Sequence, residues 1–294
     1  MKGFKEKLYI NIFSILAFSS LFFLGGIVFV LFKEGLPIFK KVNFFEFVSG
    51  RFWYPTYDPP EFGILPLLLA SFQVTLGAMF VCVPLGIGSA LYLNEIASFK
   101  QRKIMKSLVE ILAMIPSIIY GFFGIAILVP FLQNLLNLPT GLCAFSASLV
   151  LGIMATPTAC SIAEDALSYV PRSFKEASFA LGANRWQTLV KVVIPAAGSG
   201  ISSAVILGMS RIVGETMVVL MLAGGAAVIP KSFFEPVRPI TAAIAAEMGE
   251  VALGSDHYHA LFAIAIILFF ITFVFNVIAE SISRKYRLKL GLAQ

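Results

Sequence analysis

Arg211 and Glu215 are the residues of this sequence whose types and spacing carry the most chemistry. They stand in "ISSAVILGMSRIVGETMVVLMLAG", an apolar run long enough to cross a bilayer. An arginine in mid-span costs about 2.5–3.5 kcal/mol on insertion scales, so it is expected to face a bundle interior or a wet cavity and to have a partner. In one continuous helix Glu215 lies a turn further along the same face and is that partner. Two roles are open to the pair. It can be a structural ion pair that fixes helix packing. Alternatively, Arg211 meets an oxyanion in transit through its planar, bidentate guanidinium, and Glu215 restores neutrality when the path is empty.

Four hydroxyls beside prolines extend the candidate path: Ser117 and Tyr120 after Pro116, and Thr156 and Thr158 around Pro157. Helix interruptions leave backbone donors open to anions, although ordinary helix–helix contacts use hydroxyls in the same way. His257 and His259 are two histidines where a metal site normally takes three or four ligands, so packing is expected of them and no metal. Cys82, Cys143 and Cys160 have neither metal-ligand spacing nor a disulfide framework and read as small buried hydrophobes. The chain holds no G-x-x-x-x-G-K-[ST] stretch to cradle nucleotide phosphates, and no nucleophile–base constellation. No cofactor is expected in it, and any ATP hydrolysis belongs to a separate chain.

The elements that must position these residues are membrane helices. Of 294 residues 59% are hydrophobic and 13% charged, against about 45–50% and about 25% in globular domains. An all-α integral membrane protein is expected, with spans near 8–32, 64–93, 105–132, 142–163, 200–223 and 260–280. The first is too long for a signal-peptide core of about 7–15 residues and matches the about 20 that a spanning helix needs. With the N-terminus inside, fifteen Lys and Arg fall on inner segments (1–7, 94–106, 164–199, 281–294) and six on outer ones (33–63, 224–259). The positive-inside rule then places both termini in the cytoplasm. The net charge of +6 follows the membrane and implies no nucleic-acid partner. Residues 33–63, with Trp53, Tyr54 and Tyr57, read as an ordered extracytoplasmic loop with interfacial aromatics. "ITAAIAAEMG" reads as a helix too short to span.

Between the fourth and fifth spans lies "RSFKEASFALGANRWQTLVKVVIP", residues 172–195. Ser173 and Glu176 have the spacing of a capping box. Phe174, Ala177, Ser178 and Leu181 share one apolar-to-small face. Gly182 suits a left-handed stop, Asn184 and Gln187 open a second helix, and Pro195 is expected to end it. Helices under about 12 residues are marginal without tertiary contacts. The small residues favour a protein partner over the alternative, burial at the bilayer surface.

The stretch resembles the EAA motif of ABC-importer permeases. "EASFALG" carries Ser178 where the third motif residue is usually Ala, and "VIP" closes the loop. Together with "FGILPLLLASFQVTLGAMFVCVPLGIGSALYLNEIA", "EILAMIPSIIYGFFG", "GMSRIVGETMVVLM" and "HYHALF", it makes most of residues 62–280 similar to the PstC-type permease subunits of phosphate ABC importers. The resemblance implies a type I permease of six transmembrane helices with a cytoplasmic coupling helix. Residues 1–63 would form the first helix and outer loop, 64–283 the permease domain and 284–294 a cytoplasmic tail, all in the inner (cytoplasmic) membrane. It implies that Phe174, Glu176, Ala177, Ser178, Leu181 and Gly182 dock into an ATP-binding subunit, present as a dimer that holds the ATP. A PstA-type second permease, an extracytoplasmic phosphate-binding protein and membrane lipid complete the expected partners. It also implies that Arg211 and Glu215 serve translocation of phosphate. The same machinery carrying sulfate or molybdate is the nearest alternative, and an ion-coupled secondary transporter the next; inverted repeats would favour the latter, and none is visible.

Overall fold

The computed structural model describes residues 2–289. Helix α1 (Lys2–Gly35) leads through a 3-10 turn (Leu36–Lys40) to α2 (Phe44–Ser49) and a hairpin of β1 (Trp53–Tyr54) and β2 (Glu61–Phe62), with Trp53 opposite Phe62. Then come α3 (Leu65–Leu91), extended by a π turn at Tyr92–Ile96, α4 (Phe99–Met114) and α5 (Ser117–Phe123). A second π turn, Gly124–Leu128, joins α5 to α6 (Val129–Leu136), followed by α7 (Ala144–Ser168). The elbow is α8 (Arg172–Ala180) and α9 (Arg185–Thr188), and a third π turn at Leu189–Val193 leads to α10 (Ile194–Ala196). The last elements are α11 (Gly198–Val213), α12 (Met217–Leu222), α13 (Ile240–Glu247) and α14 (Asp256–Lys289).

Five helical stretches among the described residues are long and apolar enough to cross a membrane: Tyr9–Lys40, Leu65–Ile96, Ser117–Leu136, Ala144–Ser168 and Asp256–Ile278. A sixth crossing arises if Arg185–Ala196 and Gly198–Val213, bent by 69°, count as one span. Three expectations are corrected here. The third span does not run through 105–132, because Ile115 before Pro116 is extended (φ −64°, ψ 127°). A proline disfavours the helical region for the residue before it, so α4 is a separate helix. Nor is 200–223 one helix: it stops at Val213 and restarts at Met217. Pro195 does not end the second elbow helix either, since the chain stays helical to Ala196 and bends at Ala197. Pro84 and Pro157, in contrast, sit inside the continuous helices α3 and α7.

The core is the pair α3 and α7. They run parallel, with Gly77 against Ser148 near one end and Gly86 against Ala159 near the other. Between them, a Cβ on Gly152 would meet the Val81 Cβ at 2.6 Å and the Ala78 carbonyl at 2.7 Å. Small residues let membrane helices approach to backbone contact, where van der Waals packing replaces the hydrophobic drive. Ala78, Cys82, Ala147, Leu151, Met154 and Ala155 fill this seam. All three cysteines are free and buried.

At the end where α3 begins, α13 packs against α3, α12 and α14, with Ile240, Ala242 and Ala243 buried. Trp53 is corrected from an interfacial aromatic to a core residue, 2% exposed; its indole donates to Glu247. Tyr54 and Tyr57 stack at 4.9 Å and Tyr57 stays exposed. His257 meets the Glu247 carboxylate and His259 the Glu34 carbonyl.

At the opposite end α4, outside the spanning helices, docks onto α7 through charge. Glu164, 1% exposed, takes Arg102 and Lys106, and Asp165 takes Lys106 as well. These bonds, Asp165 first, push the Lys106 ammonium up to about 12. A buried carboxylate is tolerated only when paired in this way. The rest of α4 buries nothing and exposes Phe99, Ile104, Leu108, Ile111 and Met114. Helix α1 packs along α14 and exposes Phe13, Phe18 and Phe22. Of the expected tail 284–294, residues 284–289 continue α14, and 290–294 lie outside the described residues.

Candidate functional site

The polar centre of the bundle is built on the break between α11 and α12. Helix α11 carries Arg211 in its last turn, and Gly214 ends it. Because Glu215 falls beyond that end, the one-turn spacing that would pair the two side chains does not exist. The expected Arg211–Glu215 ion pair is therefore corrected: no such bridge forms. The Glu215 carboxylate turns forward instead and accepts from the amides of Met217 at 3.0 Å and Val218 at 3.4 Å. The first amides of a helix have no partner within it and carry partial positive charge, so a carboxylate there is satisfied locally.

Arg211, released from Glu215, reaches across to α7. Its Nη1 donates to Thr158 Oγ1 at 3.3 Å, and Tyr120 on α5 packs against the buried cluster that holds Ala159 and Ile212, the chain neighbours of Thr158 and Arg211. Tyr120 itself donates to the Leu112 carbonyl at 3.0 Å, bridging the Ile115–Pro116 break. The residue that orients the guanidinium is thus a neutral hydroxyl. Arg211, Thr158 and Tyr120 are all half-buried and come from α11, α7 and α5. The remaining candidates lie apart: Thr156 bonds back to the Gly152 carbonyl within α7, and Ser117 opens α5 outside these hydrogen bonds.

One partner of the break escaped sequence reasoning. Thr241, at the start of α13, donates to the Glu215 carbonyl at 2.8 Å. Nothing in the local pattern of "ITAAIAAEMG" marks it, because the bond closes across 26 residues.

The second candidate surface is the elbow. The expected capping box at Ser173 is corrected: Pro171 precedes the first turn, Ser173 lies inside it, and no side chain caps the helix. Proline's fixed φ and missing N–H suit a helix start without such a cap. The box formed by Asn184 and Gln187 is present, with bonds of 2.8 and 2.9 Å. Gly182 is left-handed, at φ +80°.

Phe174 and Ala177 are exposed, as are Glu176 and Gly182, and Leu181 is 90% exposed. With Gln187 and Lys191 the apolar members of this face line a groove of about 620 Å³. Ser178 departs from the expected exposed face. It is buried, and its hydroxyl meets that of Thr188 at 2.9 Å, pinning α8 to α9. A further tie is Lys175 to Glu95 at 2.6 Å, which fastens α8 to the π turn at the end of α3.

Comparison with known proteins adds three relations. Residues 82–288 match the family model described as "Binding-protein-dependent transport system inner membrane component". Among curated proteins, the chain is 37% identical to the probable ABC transporter permease protein YqgH of Bacillus subtilis, over 86% of this chain and 82% of that one. It is 34% identical to the phosphate transport system permease protein PstC of Mesorhizobium japonicum, over 87% and 83%. Among solved structures, a chain of a bacterial alginate ABC transporter in complex with an alginate pentasaccharide-bound periplasmic protein superposes with a TM-score of 0.64. That match covers 93% of this chain and 94% of the other at 17% identity, a likeness of fold alone.

Proposed function

This chain belongs to the family of binding-protein-dependent transport system inner membrane components, and we propose that it is the permease subunit of an ATP-driven importer of inorganic phosphate. The observation that carries the reading is Arg211: a half-buried guanidinium at a broken helix, held by the Thr158 hydroxyl rather than by a carboxylate. A structural ion pair would be neutralised in place. Here the charge is oriented and still able to receive an oxyanion, while Glu215 is parked on the α12 amides. Phosphate is the cargo that fits the relatives named as phosphate permeases, and two of its four oxygens match the guanidinium fork.

In this reading transport needs no chemistry on the chain itself. Phosphate reaches Arg211 from the hairpin end, where a loaded extracytoplasmic binding protein docks. Bidentate contact holds it at the break beside the Thr158 and Tyr120 hydroxyls. When the bundle rearranges, Glu215 leaves the α12 amides and competes for the guanidinium, which releases the anion toward the elbow end. ATP is bound and hydrolysed on a separate dimer of ATP-binding subunits, whose groove takes the exposed face of Phe174, Ala177, Leu181 and Gly182. A second, PstA-type permease covers the exposed apolar faces of α4 to α6, and lipid covers α1. The elbow lies in the cytoplasm with both termini, as the basic segments require.

The test is uptake of labelled phosphate by cells that depend on this protein, comparing wild type with Arg211→Gln at matched membrane levels and with excess sulfate. Hydrogen bonds to charged groups contribute about 1.5–3 kcal/mol each. Losing a bidentate pair therefore lowers uptake by at least about tenfold, and sulfate leaves wild-type uptake intact. Uptake that survives the substitution assigns Arg211 to packing. Sulfate competition in wild type assigns another cargo.

A further inference from the structure

We propose that α13 is a strut that carries the state of the hairpin end to the break in the transport path, with Thr241 and Glu247 as its positioning residues. The inference rests on the preceding assignment of Arg211 and Glu215 to that path. It concerns residues on which neither the motif nor the elbow bears.

Both ends of α13 are fastened by side chains to different parts of the molecule. At its start, Thr241 Oγ1 holds the Glu215 carbonyl at 2.8 Å, and the Ile240 amide donates to Ser71 Oγ on α3 at 2.8 Å. At its end, the Glu247 carboxylate, 14% exposed, gathers three further segments. Trp53 Nε1 of the hairpin lies at 3.1 and 3.2 Å from its two oxygens, Arg238 Nη1 donates at 2.6 Å, and His257 Nε2 of α14 lies at 2.8 Å. From Thr241 to Glu247 the helix rises about 9 Å between these anchors.

The same network grips α12, the short helix whose first amides hold Glu215. Its start is held through Thr241. Past its end, the Val237 amide donates to the Ala223 carbonyl at 2.7 Å and the Gly225 amide to the Val237 carbonyl at 3.0 Å. Arg238 Nε then donates to the Gly225 carbonyl at 2.7 Å while Nη1 reaches Glu247. Moving the hairpin therefore moves Trp53, then Glu247, then both ends of α12. Simple packing of α13 would be met by Ile240, Ala242 and Ala243. A largely covered carboxylate shared by donors from three segments is costly unless its bonds are kept, so the cluster moves as a unit or breaks outright. Such all-or-none behaviour is what a transmitted switch requires.

The experiment uses the whole transporter reconstituted in vesicles, with Thr241→Val, Thr241→Ser and Glu247→Gln beside wild type and Arg211→Gln. Initial rates of labelled phosphate uptake are read against phosphate concentration, together with ATP hydrolysis with and without phosphate-loaded binding protein. Thr241→Val keeps the shape and removes one half-buried bond. Its maximal uptake is expected to fall about fivefold or more, with the half-saturating concentration and unstimulated hydrolysis unchanged, and Thr241→Ser is expected to restore uptake. Glu247→Gln is expected to lose stimulation of hydrolysis by the loaded binding protein. If Arg211→Gln abolishes uptake while Thr241→Val transports and is stimulated as wild type, the strut is refuted and the transport assignment stands. If phosphate uptake ignores Arg211→Gln, the assignment of Arg211 to the path falls and the strut to that path falls with it.

Discussion

If α8 passes motion from an ATP-binding subunit to the bundle, the Lys175–Glu95 bridge is a direct route for it. The ammonium and carboxylate stand at 2.6 Å with side chains 26% and 19% exposed, and Asn94 Nδ2 supports Glu95 at 2.7 Å. At an effective dielectric near 20 the Coulomb attraction at this separation is about 6 kcal/mol. Desolvation and side-chain ordering offset most of it. Exposed pairs retain about 0.2–1 kcal/mol and breaking fully buried ones costs about 3–5, so this partly covered pair contributes about 1.5–2 kcal/mol. At about 1.4 kcal/mol per factor of ten, Lys175→Met and Glu95→Gln should each lower phosphate uptake about tenfold in vesicles that hold the full transporter. ATP hydrolysis in the same vesicles should persist, because neither residue lies on the exposed docking face. The reversed pair, Lys175→Glu with Glu95→Lys, should recover part of the loss, and the double-mutant cycle isolates the pairwise term. Wild-type uptake in the single variants refutes the route. So does a reversed pair no better than either single, or hydrolysis that falls in step with uptake, since that means the ATP-binding subunits have simply detached.

The hydroxyl pair inside the elbow gives a second prediction. Ser178→Ala leaves the buried Thr188 hydroxyl without its partner and should destabilise the elbow by about 1–2 kcal/mol, whereas adding Thr188→Val should restore much of it, because replacing both partners by apolar groups is nearly neutral. Limited proteolysis of the elbow in membranes reads this out, and a double variant cut faster than Ser178→Ala contradicts it. Gly182→Pro demands a φ near −65° where the chain holds +80°. No atom lies within 4 Å of a Cβ built there, so the effect is one of backbone direction together with loss of the Gly182 amide bond to the Phe179 carbonyl at 2.9 Å. Uptake should be lost while the protein still reaches the membrane and ATP is still hydrolysed; wild-type uptake removes the coupling role.

Local chemistry wrote much of this molecule into its sequence. Apolar runs marked the spans that became α1, α3, α7 and α14, because a backbone in hydrocarbon must satisfy its own polar groups and a helix does so within one segment. Gly182 and the Asn184–Gln187 box were legible because a left-handed turn and a cap are decided within a few residues. The break at Ile115–Pro116 carried a local signal too, yet apolar length masked it. Other features were set by partners far along the chain. Ser178 fits an exposed face by period alone and is buried because Thr188 folds back onto it. Trp53 has the composition of an interfacial residue and is buried because Glu247 receives its indole. Glu164 became a buried anchor only when α4 brought Arg102 and Lys106 across.

Arg211 and Glu215 show the division most plainly. Their types established that a charge must be housed inside the membrane. Which group houses it was decided by tertiary structure. The break after Val213 removed the common face, α7 supplied Thr158, and α13 supplied Thr241. Sequence spacing predicts contacts only along an unbroken helix; across a break, the third dimension chooses the partners.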